Sequence, residues 1–227
     1  MTLLKQTGPK YSEPLKTVEP LHLVQIVDDD PGIRRALARL LKSVDIPAQC
    51  FAGAKEFIDA YDPSRPGCAI FDVSMPEMTG LELQEVMAER GYACPIIFLT
   101  GQSSIPDSVR AMKNGAVDFL TKPVDDEKLI NAVRLALDTD RRTRLKNMGL
   151  NSIKERLGSL TPREMEVLTH VVTGQLNKQI AADLGTVEKT IKVHRGRVMR
   201  KMGVRTVVEL VHTVDLVSNP AEHQDPA

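Results

Sequence analysis

Asp72 closes an apolar run, Ala69-Ile70-Phe71, where a buried strand would end. A carboxylate at the rim of a hydrophobic strand is costly unless a positive partner compensates it. Three more acids, Asp28, Asp29 and Asp30, end the run LHLVQIV at 21–27. Thr100 ends a third run, PIIFLT, and Lys122-Pro123 follows a fourth, AVDFL at 116–120. Carboxylates gathered at one edge of a sheet repel one another and stay ionised only beside a cation. Their hard oxygens suit Mg²⁺, which is usually held by a few carboxylates together with water and substrate phosphate. Lys122 adds a mobile point charge of the kind that meets phosphate, and Thr100 a hydroxyl that can donate to a phosphoryl oxygen. Together they compose a pocket for a phosphoryl group on Mg²⁺. Each residue alone has a plainer explanation: Asp30 as a helix cap, a lone Asp as a turn residue, a lysine before proline as a solvated charge. Four placements, at the ends of four of the five expected strands, are much harder to obtain by accident.

The elements that must position these residues alternate. Strands are expected at 21–27, 47–52, 67–72, 95–100 and 116–120, and helices after Asp30-Pro31, at 53–61, 81–90 and 108–115, and from Asp125 onward. Asp30 before Pro31 has the form of an N-cap followed by proline at the first helical position. Gly115 suits a left-handed helix stop. Short apolar strands alternating with helices imply a parallel sheet covered on both faces, a doubly wound α/β domain with five strands. Ligands in such folds sit at the carboxyl ends of the strands, where the unusual residues lie.

Strand signals stop near Gly158. The charged segment 138–159 is either a continuation of the fifth helix or a helical linker that breaks near Gly149. Four helices then follow, in TPREMEVLTHVV, NKQIAADL, EKTIKVHRGRVMRKM and TVVELVHTVDLV. Thr161 with Glu164 three residues later forms a capping box. At 100° per residue, Ile191, Val198 and Met202 share a core stripe, while Lys189, Lys192, Val193, Gly196 and Arg200 fall opposite. A basic face interrupted by one apolar residue and a glycine can approach DNA closely. Lys and Arg would meet phosphates or guanine edges, and Val193 a thymine methyl. One solvated helix face is the bland alternative, and the helix–turn–helix layout weighs against it.

With 227 residues and 42 % hydrophobic content, the chain has room for two packed domains. No apolar run approaches the ~20 residues needed to cross a bilayer. The first 20 residues lack an apolar signal core and are expected to be a disordered tail, as are residues 219–227. Three cysteines without CxxC spacing fit a reducing cytoplasm better than a disulfide frame or a zinc site. The net charge of zero hides an asymmetry: residues 21–140 carry 12 Lys+Arg against 19 Asp+Glu, a net of −7, and residues 141–218 carry 15 against 7, a net of +8. An acidic part followed by a basic part suggests a cation as partner for the first and nucleic acid for the second.

The motifs IVDDD, FDVSMPEMTG, FLTG and DFLTKPV, in this order and spacing, resemble the receiver domain of two-component response regulators. The resemblance covers about 120 residues. It implies a flavodoxin-like fold, Asp72 as phosphoacceptor, and Asp28 and Asp29 as the acidic pair around Mg²⁺, with the Ser74 backbone carbonyl completing the protein ligands. It further implies Thr100 and Lys122 on the phosphoryl oxygens, a cis Lys122-Pro123 bond, Gln102 as a residue tuning phosphate loss, and Phe119 in the place of the switch aromatic. For Phe119, a plain core role is the alternative. Residues 160–217, with LTPREMEVL, Gly174, Asn177-Lys178, Leu184-Gly185 and TIKVHR, resemble the LuxR-type DNA-binding domain. There the resemblance places Lys192 and Val193 in the major groove. Gly196 stands where a basic residue is often found. Val187 stands where a serine often caps the recognition helix, so Thr186 is expected to cap instead. The last helix, with Val207, Leu210, Val211 and Val214 at helical spacing, is in part core and, in the family, a dimer contact.

The combined expectation is a member of the NarL/FixJ family, close to its FixJ branch, with a receiver at 21–138, a helical linker at 139–158 and an all-α four-helix helix-turn-helix domain at 159–218. It would be phosphorylated by a sensor histidine kinase, pair as a homodimer, bind promoter DNA and act with RNA polymerase, as an activator. It would use no cofactor besides Mg²⁺, touch no membrane and catalyse nothing beyond its own phosphorylation and dephosphorylation. Three rivals compete. A phosphohydrolase with an Asp nucleophile would need a second acid two residues after Asp72, where Ser74 stands. A nucleotide-binding enzyme would want a glycine-rich loop where DDDPG stands. In the third, the receiver is an unphosphorylated dimerisation module.

Overall fold

The computed structural model describes residues 22–101 and 105–218. The two expected tails and Gln102 fall outside them. The described chain forms two compact units that divide between Arg141 and Arg142. Among the described residues, no helix is long and apolar enough to cross a membrane.

In the first unit the five strands β1 (Leu23–Val27), β2 (Ala48–Phe51), β3 (Gly67–Asp72), β4 (Ile96–Thr100) and β5 (Asp118–Thr121) form one sheet in the order β2-β1-β3-β4-β5, with every neighbouring pair parallel. Successive side chains of a strand point to opposite faces, and β3 shows the consequence. Ala69 and Phe71 enter one core, Cys68 and Ile70 the other. The first core is closed by helices α2 (Ala54–Ala60), α3 (Gly80–Glu89) and α4 (Ile105–Lys113), and the second by α1 (Pro31–Ser43) and α5 (Asp126–Gly158). Phe57, Phe71 and Phe98 are fully buried, with the rings of Phe57 and Phe71 edge to face at 5.2 Å. Each such ring stabilises the fold by roughly 1.5–3 kcal/mol.

This topology creates the site. From β1 the chain steps to β2 on one side and then crosses back to β3 on the other, so the carboxyl ends of β1 and β3 flank the switch-point crevice. Val27 pairs with Phe71, so Asp28 and Asp72 follow side by side. Several element starts differ from expectation. α4 begins at Ile105 rather than Ser108, because Pro106 in a first turn gives up a donor that has no helical partner there. β5 begins at Asp118 rather than Ala116. α5 extends through Gly149 to Gly158 as one helix.

The second unit packs α6 (Pro162–Val172), α7 (Asn177–Asp183), α8 (Glu188–Met202) and α9 (Val207–Ser218) around Val167, Leu168, Val171, Ile180, Ile191, Val198, Met202 and Leu210. Ile153 and Leu157, from the last turns of α5, join this core.

Candidate metal centre and nucleic-acid interface

Asp28 and Asp72 are buried, and Asp29 beside them is exposed. Carboxylate oxygens of the three lie within 4.8 Å of one another. The Lys122 ammonium donates to Asp28 Oδ2 at 2.7 Å and to Asp72 Oδ1 at 2.8 Å. Asp28 is fixed further: its Oδ1 accepts the Asp30 N–H at 2.8 Å, and its backbone carbonyl accepts from the Arg34 guanidinium at 2.5 Å. Asp30 serves as the N-cap of α1, accepting from the Gly32 and Ile33 N–H groups, which hold its carboxyl below the usual range. Burial pushes the Asp72 carboxyl above its ordinary value, and the repulsion of Asp28 and Asp29 adds to this against the opposing pull of Lys122. Burial alone would lower the Lys122 ammonium; the hydrogen bonds to Asp28 and Asp72 outweigh it and raise it. Three carboxylates face one lysine, so the donor set is hard, oxygen-only and negative, which fits a divalent cation such as Mg²⁺.

Packing aims these groups. Thr100 is buried at the end of β4, and its carbonyl accepts the Lys122 N–H at 2.7 Å, which ties the end of β5 to β4. The Lys122-Pro123 bond is cis. Phe119, half-buried, sits across from Phe98 with ring centroids 6.0 Å apart. The loop after β3 is pinned at both ends, Val73 N–H to the Leu99 carbonyl and Gly80 N–H to the Val73 carbonyl. A Cβ on Gly80 would meet the Asp72 carbonyl oxygen at 2.2 Å, so only glycine lets α3 start against the end of β3. Ser74 is exposed on this loop, and Glu77 takes a left-handed φ of 66° there. Arg34 was not foreseen. Its signal is an arginine one turn into a helix capped by Asp30.

In the second unit, Lys189, Lys192, Val193, Gly196 and Arg200 are all exposed on α8, opposite buried Ile191, Val198 and Met202. Arg197 extends the basic face and was missed. Arg195 donates to Asn177 Oδ1 at 2.9 Å, tying α8 to the start of α7. The cap of α8 differs from expectation: Val187 occupies the N-cap and no side chain caps the helix. Thr186 lies one residue too early for its hydroxyl to serve the first-turn N–H groups. The capping box at Thr161 is present, and Glu164 does more than cap. Its buried carboxylate accepts from Lys201 of α8 at 2.6 Å, which together with the Thr161 N–H holds its pKa down to about 2.

Residues 24–134 match the response regulator receiver domain, and residues 158–214 match the bacterial regulatory proteins of the luxR family. The response regulator protein TodT of Pseudomonas putida is 40% identical over 217 residues, covering 96% of this chain and 93% of TodT. The transcriptional regulatory protein FixJ of Azorhizobium caulinodans is 38% identical over 204 residues, covering 89% and 97%. Among solved structures, that of the response regulator StyR is similar with a TM-score of 0.79 at 39% identity, over 85% of this chain and 98% of StyR.

Proposed function

The chain belongs to the NarL/FixJ family of two-component response regulators, and from that footing we propose that phosphorylation of Asp72 controls its binding to promoter DNA. Family membership makes it a transcription regulator with a receiver, a LuxR-type DNA-binding domain, a kinase partner and DNA as ligand. The observation that carries the proposal is the Lys122 ammonium between the buried Asp28 and Asp72 at adjacent strand ends.

In the proposed reaction an Asp72 carboxylate oxygen attacks the phosphorus of a phosphohistidine on the sensor kinase. The P–O bond forms as the P–N bond breaks, and the imidazole nitrogen leaves with the electron pair. Lys122 turns from the Asp72 carboxylate toward the phosphoryl oxygens, and the Thr100 hydroxyl donates to them. Asp28, Asp29, Asp72 and the Ser74 carbonyl would hold Mg²⁺, which when bound neutralises charge on the transferring group. Water later attacks the acyl phosphate and releases inorganic phosphate. The chain catalyses nothing beyond this gain and loss of its own phosphate.

As Thr100 moves toward the phosphate, Phe119 packs inward, and the changed surface around α4 and β5 favours pairing of two receivers. Paired chains engage two half-sites with the avidity of a linked pair. Lys189, Lys192, Val193 and Arg200 meet the DNA, with Lys192 and Val193 in the major groove, and the bound dimer activates transcription by contacting RNA polymerase. The three free cysteines support work in the reducing cytoplasm. The test is labelling with acetyl phosphate and Mg²⁺ followed by light scattering. Wild type should take up phosphate and gain mass toward a dimer, and Asp72→Asn should do neither. Undiminished labelling of the variant would refute the assignment of Asp72.

A further inference from the structure

The last turn of α8 is held from two directions within the second unit. Arg156, on the final turns of α5, donates from Nη1 to the Met202 carbonyl at 3.0 Å and from Nη2 to Ser152 Oγ at 3.0 Å. The Met202 carbonyl is among the last four of α8, which have no partner inside their own helix. Gly203 caps the helix in a left-handed conformation, φ 69°, and a Cβ there would come within 3.2 Å of Arg156 Nη1. The guanidinium therefore lies over the end of the helix, where a positive charge also favours the dipole. From the other side, Lys201 donates to the Ser159 carbonyl at 2.8 Å and to Glu164 at 2.6 Å. Ile153 and Leu157 bury the same stretch of α5 in the core that receives Ile191, Val198 and Met202.

We propose that Arg156 is a positioning residue for DNA recognition: it fixes the C-terminal end of α8 and so the tilt at which Lys192, Val193 and Arg200 are presented. It lies outside the matched LuxR-type segment, which begins at residue 158. The unit that reads DNA therefore extends back into α5, the helix that also buries Leu129 and Val133 in the receiver. A 15-residue helix is a lever about 22 Å long, so loosening one end displaces side chains along its whole face. Removing the guanidinium leaves the Met202 carbonyl without this partner and the last turn free to fray.

The inference rests on α8 being the helix that meets DNA, and the experiment separates the two. Full-length wild type, Arg156→Met, Arg156→Lys and Lys192→Ala are titrated onto a duplex selected by the wild-type protein from a random pool. Amide hydrogen exchange of each is followed in parallel. Arg156→Met keeps the apolar stem and helix propensity but removes the donors. It should bind about tenfold more weakly, with faster exchange confined to Met202, Gly203 and Val204. Arg156→Lys, which keeps the charge and a donating ammonium, should recover most of the affinity. If Lys192→Ala binds as well as wild type, the reading of α8 itself is wrong. If Lys192→Ala weakens binding and Arg156→Met does not, the positioning role is overturned. It is equally overturned if exchange accelerates uniformly from α6 to α9, which marks a general contribution to stability.

Discussion

Replacing Lys122 by methionine tests whether the buried carboxylates depend on that one charge. The ammonium lies 2.7 Å from Asp28 and 2.8 Å from Asp72. At an effective dielectric constant of about 20, each contact is a gross attraction of about 6 kcal/mol. The cost of dehydrating the lysine offsets much of it, and removing one partner of a buried pair typically costs about 3–5 kcal/mol. The Lys122 side chain keeps 20% of its surface in water, against 2% and 6% for the two acids. The expected loss for Lys122→Met is therefore about 2–4 kcal/mol. Urea unfolding of the receiver at neutral pH with a chelator present measures it. Millimolar Mg²⁺ should then restore more stability to the variant than it adds to wild type, because the cation no longer competes with the ammonium for the same oxygens. At a hundredfold excess over the dissociation constant, the gain is about 2.7 kcal/mol. A variant as stable as wild type in chelator, or one indifferent to Mg²⁺, would show that the acids are not held by this charge.

Gly80→Ala places a methyl 2.2 Å from the Asp72 carbonyl oxygen, so α3 or the end of β3 must shift. A loss of about 1–3 kcal/mol is expected in thermal unfolding, together with slower labelling by acetyl phosphate, and normal values for both would disprove the close fit. Glu164 is held near pKa 2 against an ordinary 4.5, chiefly by Lys201. A depressed carboxylate contributes stability that is complete above pH 4.5 and lost as pH falls toward 2, so Glu164→Gln should flatten the acid limb of the second unit's stability curve. An NMR carboxyl titration with its midpoint near the ordinary value would contradict the Lys201 contact. Val187→Ser supplies the cap that α8 lacks and should slow exchange of the first-turn amides while adding about 1 kcal/mol. Unchanged exchange there would mean that the bare N-terminus is already satisfied.

Apolar runs and helical spacing sufficed for the doubly wound sheet, because the central strands β1, β3 and β4, buried on both faces, are written as nearly unbroken apolar runs and leave little ambiguity of type. The acids were legible for the same reason: a charge ending such a run stands out. What stayed hidden depends on register and on long side chains. That Asp28 and Asp72 lie side by side follows from the pairing of Val27 with Phe71, which no local pattern encodes. Arg34 and Lys201 reach across 6 and 37 residues to partners that any exposed arginine or lysine could equally have missed. The cap of α8 failed differently. Thr186 is the right residue type one position too early, and the start of the helix is fixed by packing of Ile191 rather than by its cap. Gly149 gave a false hint of a break, since one glycine costs a helix only about 1 kcal/mol.

The charges at the site limit how phosphorylation can be felt elsewhere. Three carboxylates, one lysine and a bound Mg²⁺ sum to zero. Converting Asp72 from a carboxylate to an acyl phosphate replaces one negative charge by two, a net change of one unit on a segment that already carries −7. At physiological ionic strength, salt screens such an added charge over about 8 Å. What would change discretely in the proposed reaction is geometry: where Lys122 and the Thr100 hydroxyl point, and which space remains for the Phe119 ring beside Phe98. On the proposed function, the signal would be a change of shape at the surface of α4 and β5, amplified by pairing. On that proposal, negative charge added elsewhere on the receiver surface would not imitate it.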